Sequence, residues 1–262
     1  DRKISILESA LSQFPKSSYV ASIKYELANS YLTLDLYPKS LELYTDITKN
    51  YSQSIHAKDS YAKMGMIYYN MGKEKDALLY LKKVVETYPG TEEAKSALNN
   101  IKTIYIESNN VDEFIAYTKK IPEAEITQSE QDSISYQAIE NLYMNGNCQK
   151  AIDGFREYIS KYPDGAFYSS ANYYLADCLI KDSQKQEALQ AYENIIQKPK
   201  NEFTEKAILK AANLNFENKN YETSLKEYCL LEQTAEISNH RLQALLGAME
   251  CYYLLGKFDS TI

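Results

Sequence analysis

The side chains best suited to chemistry in this chain are Cys148, Cys178, Cys229, Cys251, His56 and His240. No two cysteines form a Cys-x-x-Cys pair and the histidines stand far from them in sequence, so spacing argues against a zinc site. Cysteine is among the most buried residue types, and buried or half-buried free thiols are the expectation for all four. A Cys148–Cys178 disulfide is an alternative that spacing does not decide. His56 lies in a loop-like Ser54-Ile55-His56 stretch and is expected at the surface. The chain has 36 Asp and Glu, but they fall on helix faces at solvating intervals. A catalytic set needs nucleophile, base and stabiliser held in one pocket, and no such set and no Gly-rich phosphate cradle can be read here. The expectation is a chain that is not an enzyme, with no catalytic residue, no metal ligand and no cofactor.

Charge and composition narrow the partner. The net charge is −7, and no Lys/Arg cluster is longer than a pair. A phosphate backbone calls for a basic stripe, which excludes nucleic acid as a main partner. There is no apolar run near 18 residues, so no transmembrane segment is expected in this sequence. Hydrophobic residues make up 44%, with 8 Gly and 6 Pro, too apolar for disorder and too poor in turn formers for an all-β fold. The aromatic set is 25 Tyr, 7 Phe and no Trp; an apolar ring with one polar tip suits packed helices with wet edges. The chain opens inside a helical pattern at Asp1-Arg2-Lys3-Ile4, which suggests a fragment of a longer chain whose N-terminus is missing.

The elements that must position any site come from an internal period. Tyr61-x2-Met64-Gly65-x2-Tyr68 precedes Ala77-x3-Leu81-x2-Val84 and Tyr88-Pro89; the same order appears at Leu27-Ala28-x2-Tyr31 with Ser40-x3-Tyr44-x2-Ile47, and at Leu175-Ala176-x2-Leu179 with Ala188-x3-Tyr192-x2-Ile195. One position of the second segment falls at Ser40, Ala77, Phe114, Ala151, Ala188, Ser224 and Thr261, five intervals of 37 and one of 36. Apolar residues recur at three- and four-residue steps, so each copy reads as two amphipathic helices. Gly65 and Ala77 are small where the two helices should cross closely. Between the helices stand Asp35, Gly72, Asn109, Gly146, Ser183, the stretch Asn218-Lys219-Asn220, and Gly256, mostly residues that tolerate a left-handed backbone. Pro89 and Pro163 end second helices, and Pro15 marks the same spot after a lone leading helix over Ile4 to Phe14.

These residues together resemble the tetratricopeptide repeat family. Tyr61 takes the place of its usual Trp, and three residues beyond its usual period of about 34 follow the Tyr-Pro. With Tyr162-Pro163-Asp164-Gly165-x2-Tyr168-x2-Ala171-x-Tyr173-Tyr174-Leu175-Ala176, the chain is similar to bacterial cell-envelope members of the Tol-Pal-associated and outer-membrane-assembly types and to long repeat proteins of Bacteroidetes. The resemblance implies an all-α, right-handed superhelix (an α-solenoid) of about six full repeats, with partial repeats at both ends. About fourteen helices are expected, the last over Leu242 to Leu255. Residues 1–262 would form one solenoid. A break in curvature between 102 and 133 would separate sub-arrays 1–121 and 128–262, because Lys102 and Phe114 replace the small crossing residues and Glu123 to Glu130 is polar without helical alternation.

In such arrays the first helices line a concave groove. The residues one step beyond the packing face are Tyr25, Asn29, Met66, Tyr69, Tyr136, Glu140, Tyr143, Tyr173, Asp177, Asn213, Phe216, Glu250 and Tyr253, rings with acids between them. Asn29 sits at one place of the Lys-and-Asn clamp that some family members use for a C-terminal carboxylate, but Tyr25 stands where the Lys would be. The expected function is a protein–protein interaction scaffold. It would bind a peptide or protein segment with apolar anchors and some positive charge. A glycan-binding module is the alternative, since stacked Tyr rings also suit sugars. The resemblance implies a periplasmic or outer-membrane-associated setting; a cytoplasmic one is the alternative. Uncapped solenoid ends would favour end-to-end self-association.

Overall fold

The computed structural model describes residues 2–122 and 124–257. Asp1, Glu123 and Thr261, all used above, lie outside the described residues. The chain divides into two compact units, residues 1–125 and 126–262. The first holds α1 (Arg2–Gln13), α2 (Val20–Thr33), α3 (Tyr37–Asn50), α4 (Ala57–Asn70), α5 (Glu74–Thr87), α6 (Glu92–Glu107) and α7 (Val111–Thr118). The second holds α8 (Gln128–Met144), α9 (Cys148–Lys161), α10 (Tyr168–Lys181), α11 (Lys185–Ile196), α12 (Thr204–Glu217), α13 (Tyr221–Thr234) and α14 (Ser238–Leu254). Among the described residues there are fourteen helices and no strand, and the fold is an all-α repeat solenoid. Within each unit a helix packs on its neighbours in sequence, and first helices of adjacent repeats also touch, α4 on α6 and α12 on α14.

The turn between first and second helix recurs in every repeat. Asp35, Gly72, Asn109, Gly146, Ser183, Lys219 and Gly256 all have φ between 54° and 75°. The next residue then donates its N–H five positions back, as Lys73 does to Tyr68 O (2.9 Å) and Asn220 to Asn215 O (2.8 Å). That bond closes a left-handed helix cap and satisfies an orphan carbonyl. In the sixth repeat the residue with positive φ is Lys219, not either flanking Asn.

Small residues set the close approach inside a repeat. A Cβ on Gly65 would lie 2.6 Å from Leu81 Cγ and 3.3 Å from the Ala77 carbonyl. Where Ser replaces Ala at the crossing, its hydroxyl is buried but satisfied. Ser40 Oγ donates to Ala28 O at 2.9 Å and Ser224 Oγ to Ala212 O at 2.8 Å. The third copy accommodates its bulk differently. Phe114 is 2% exposed, its ring is 6.3 Å from Tyr105, and α7 has only eight residues.

Four sequence expectations change. Gln128 to Glu130 is not irregular: it is the first turn of α8, held by a capping box in which Thr127 and Glu130 exchange side-chain and backbone hydrogen bonds. The last helix begins at Ser238, four residues before Leu242. His56 is not a free surface side chain; its ring stacks on Tyr25 with centroids 4.4 Å apart, and Nε2 lies 3.0 Å from Ser22 Oγ. The cysteines are not all free thiols. Cys148 and Cys178 form a disulfide, because the start of α9 and the middle of α10 bring their Cα atoms to 5.2 Å. Cys229 and Cys251 are free.

Candidate functional site

The first helices carry the thirteen groove candidates; among them, Tyr136 is joined to Glu140, Tyr143 to Asp177, and Phe216, Glu250 and Tyr253 share one cleft. In the first unit, Tyr25, Asn29, Met66 and Tyr69 are all half-buried. The Tyr25 hydroxyl donates to Asp59 on the next first helix. Asn29 Oδ1 accepts from Tyr44 at 2.6 Å. Tyr69 donates to Glu107 at 2.5 Å, and that bond to a carboxylate, with some burial, raises its pKa. Phenol on one first helix and carboxylate on the next thus join consecutive repeats.

The second unit repeats the device with more aromatic surface. Tyr143 on α8 donates to Asp177 on α10 at 3.0 Å. Burial first, then that carboxylate, pushes its pKa up to about 12. Asp177 also pairs with Lys181 at 2.7 Å, and Lys181 Nζ sits 5.4 Å from the Tyr143 ring centroid. Tyr136 bonds Glu140 at 2.8 Å and stacks on Phe167 with centroids 4.5 Å apart. It is only 5% exposed, so its ring is part of the core. Tyr173 is half-buried, 5.2 Å from Phe203. Asn213, exposed, accepts from Tyr228 at 2.5 Å.

Phe216, Met249, Glu250, Tyr253 and Leu254 line a cleft of about 520 Å³ between α12 and α14. Tyr253 is 68% exposed, Glu250 is exposed, and Phe216 is half-buried against Tyr221 at 5.3 Å. Met249 and Leu254 escape the sequence reading, which samples one helical stripe; their signal is the apolar density of α14, where Leu245, Leu246, Met249 and Leu254 are all exposed. Phe167, Tyr174 and Phe203 also escape it. They come from loops and a neighbouring stripe to fill the space between first helices. Among the described residues, no three His, Cys, Asp or Glu side chains gather as a metal site, and no helix is long and apolar enough to cross a membrane.

The sequence profile of the tetratricopeptide repeat matches residues 59–91, 135–165 and 170–201. Those three segments are tetratricopeptide repeats. The family is one of protein-binding scaffolds without catalytic activity of their own. No curated protein sequence matches the chain. Among solved structures, a tetratricopeptide repeat protein from Parabacteroides merdae is similar with TM-score 0.42 and 15% identity, over 94% of this chain and 91% of that one. PilF of Pseudomonas aeruginosa is similar with TM-score 0.40 and 18% identity, over 79% and 87%. The TPR2AB domain of yeast Sti1, solved with pHSP90, is similar with TM-score 0.39 and 15% identity, over 95% and 89%.

Proposed function

We propose that the chain is a scaffold that captures an extended peptide or protein segment on the inner face of its first helices, in a cell-envelope assembly. The observation that carries this reading is the open cleft at Phe216, Met249, Glu250, Tyr253 and Leu254. Its walls offer an apolar seat for one bulky side chain, and Glu250 has no cation within ion-pair reach among the described residues. A ligand residue with an aromatic or branched aliphatic side chain, followed by Lys or Arg, complements both features. Tyr253 loses little side-chain entropy on contact, which favours it as an anchor. Tyr–carboxylate bonds hold Tyr69 in the first unit and Tyr136 and Tyr143 in the second, so these rings act as walls more than as anchors. A glycan would want a run of free flat rings; with Tyr136 buried and Tyr143 stacked 4.6 Å from Tyr174, the peptide reading is the stronger. The Cys148–Cys178 disulfide supports an oxidising compartment such as the periplasm, since disulfides seldom persist in the cytosol.

A displayed peptide library tests this. Selected peptides should share an apolar anchor next to a basic residue. The pair Phe216→Ala and Tyr253→Ala should weaken binding of a selected peptide by about 2 kcal/mol or more with helical content unchanged. Glu250→Gln should cut affinity mainly for the basic peptides, and less so in high salt. Full affinity in the double variant, or contacts mapped to the second helices, would overturn the proposal.

A further inference from the structure

The Cys148–Cys178 bridge is unequal in its exposure. Cys178 lies in the middle of α10 and is 0% exposed, inside the core formed by α8 to α12. Cys148 is the first residue of α9, directly after the Gly146 turn, and is half-buried at the margin of that core. Both cysteines line a solvent-open cleft of about 260 Å³, together with Gly146, Asn147, Gln149, Lys181 and Asp182. Cys178 has no exposed surface, whereas Cys148 keeps some, so Cys148 is the half of the bridge that a reagent entering this cleft can reach. The charged groups of the wall are Lys181, which pairs with Asp177 and keeps a side chain 59% exposed, and Asp182, whose carboxylate accepts from the Gln184 amide. An incoming thiolate therefore meets one cation still open to solvent, beside one carboxylate already hydrogen-bonded. The backbone N–H groups at the start of α9 add positive potential next to Cys148.

Accessibility decides which sulfur of a disulfide is attacked. We propose that Cys148 is a thiol–disulfide exchange site for low-molecular-weight thiols of the glutathione class. The incoming thiolate attacks Cys148 Sγ, the Cys148–Cys178 bond breaks, and Cys178 leaves with the electron pair and takes up a proton. Cys148 then carries a mixed disulfide. A second thiolate attacks the outer sulfur of that adduct, releases the Cys148 thiolate, which is protonated, and forms the symmetrical disulfide of the reagent. In sum two thiols are oxidised to one disulfide and the bridge is reduced to two thiols. The exchange does not depend on what the groove binds. It would nevertheless act on the groove's support, because the bridge ties α9 to the helix that carries Tyr173 and Asp177.

The test uses the native chain with its free thiols first blocked by N-ethylmaleimide, so that Cys229 cannot contribute. Reduced glutathione is added without denaturant, the reaction is quenched with acid, and peptides are mapped. The expected result is a glutathione adduct trapped by the acid on Cys148 and not on Cys178 at low glutathione, and loss of the bridge with two alkylatable thiols at high glutathione, while circular dichroism stays helical. An adduct on Cys178, reduction only at denaturant levels that melt the helices, or a non-reducing map in which Cys148 and Cys178 are already free would each overturn the proposal.

Discussion

Asp132 and Glu205 occupy the same step of two first helices, and each buries its carboxylate against the leading loop of the next repeat. Asp132 Oδ2 accepts from the Ala166 N–H at 2.8 Å, and its other oxygen accepts from the Tyr158 hydroxyl. Glu205 accepts from the N–H groups of Glu236 at 2.8 Å and Ile237 at 3.3 Å, and lies 2.9 Å from His240 Nδ1. Both are among the buried charged residues. A carboxylate with such donors sets the register of the following repeat, because any shift of that loop would leave a charge buried without partners.

Glu205 should make the second unit acid-sensitive. Burial raises its pKa, but the backbone donors at Glu236 and Ile237, with His240 and Lys200, outweigh burial and hold it near 2, against an ordinary value of 4.5. The folded value is depressed, so its stabilisation is complete above pH 4.5 and is lost as pH falls towards 2. Glu205→Gln should lower stability by about 1–3 kcal/mol near neutral pH. Denaturant melts should show the gap between parent and variant closing towards pH 2; a pH-independent gap would contradict this assignment.

Glu227 should act in the opposite sense. Burial pushes its pKa to about 7, opposed by the Asn215 amide at 3.0 Å and helped by the charge of Glu193. Because the folded value lies above the ordinary 4.5, its contribution is complete below pH 4.5 and is lost as pH rises through 7. Glu227→Gln keeps a neutral side chain at all pH values. It should flatten the fall in melting temperature between pH 5 and 8, as scanning calorimetry would measure.

Crossing residues should tolerate no added bulk. Gly65→Leu would drive its side chain into Leu81 and the Ala77 carbonyl, and Ala176→Leu or Ala188→Leu would fill sites that are 0% exposed. Each should cost about 1–3 kcal/mol. Unchanged urea midpoints in all three would mean that the helices cross elsewhere.

Tyr136→Ala should cost stability, where loss of the Tyr253 ring should cost binding. Tyr136 is buried, stacked on Phe167 and 5.8 Å from Tyr158, so its removal leaves a cavity worth about 3–5 kcal/mol. A Tyr136→Ala protein with an unaltered melting temperature would place that ring outside the core.

Removing the disulfide should destabilise the folded chain. The bridge spans 30 residues, for which chain entropy of the unfolded state gives about 3–4 kcal/mol. Cys148→Ser with Cys178→Ser should shift the urea midpoint downward accordingly, with the same helical content at zero denaturant. An equal midpoint for oxidised parent and double variant would show that the bridge adds nothing to stability.

The repeat is written in the sequence. The 37-residue register, the helix pairs, the turn positions from Asp35 to Gly256 and the small residues at Gly65, Ala77 and Ala188 are all legible, because helix periodicity and backbone chirality act over a few neighbouring residues. The Thr127-x-x-Glu130 cap is another such local signal. Tertiary structure alone decided the state of each side chain. Tyr136 and Tyr173 share one repeat position, yet one is buried and the other half-buried; Tyr143 and Tyr253 share another, yet one is half-buried and the other exposed. The difference lies in what the next repeat and its leading loop supply: Phe167 beside Tyr136 and Phe203 beside Tyr173. The same holds for Cys148 and Cys178, whose pairing depends on how α9 lies against α10. Contacts between repeats join residues about 30 to 40 positions apart, and a periodic sequence specifies their spacing but not which side chains meet.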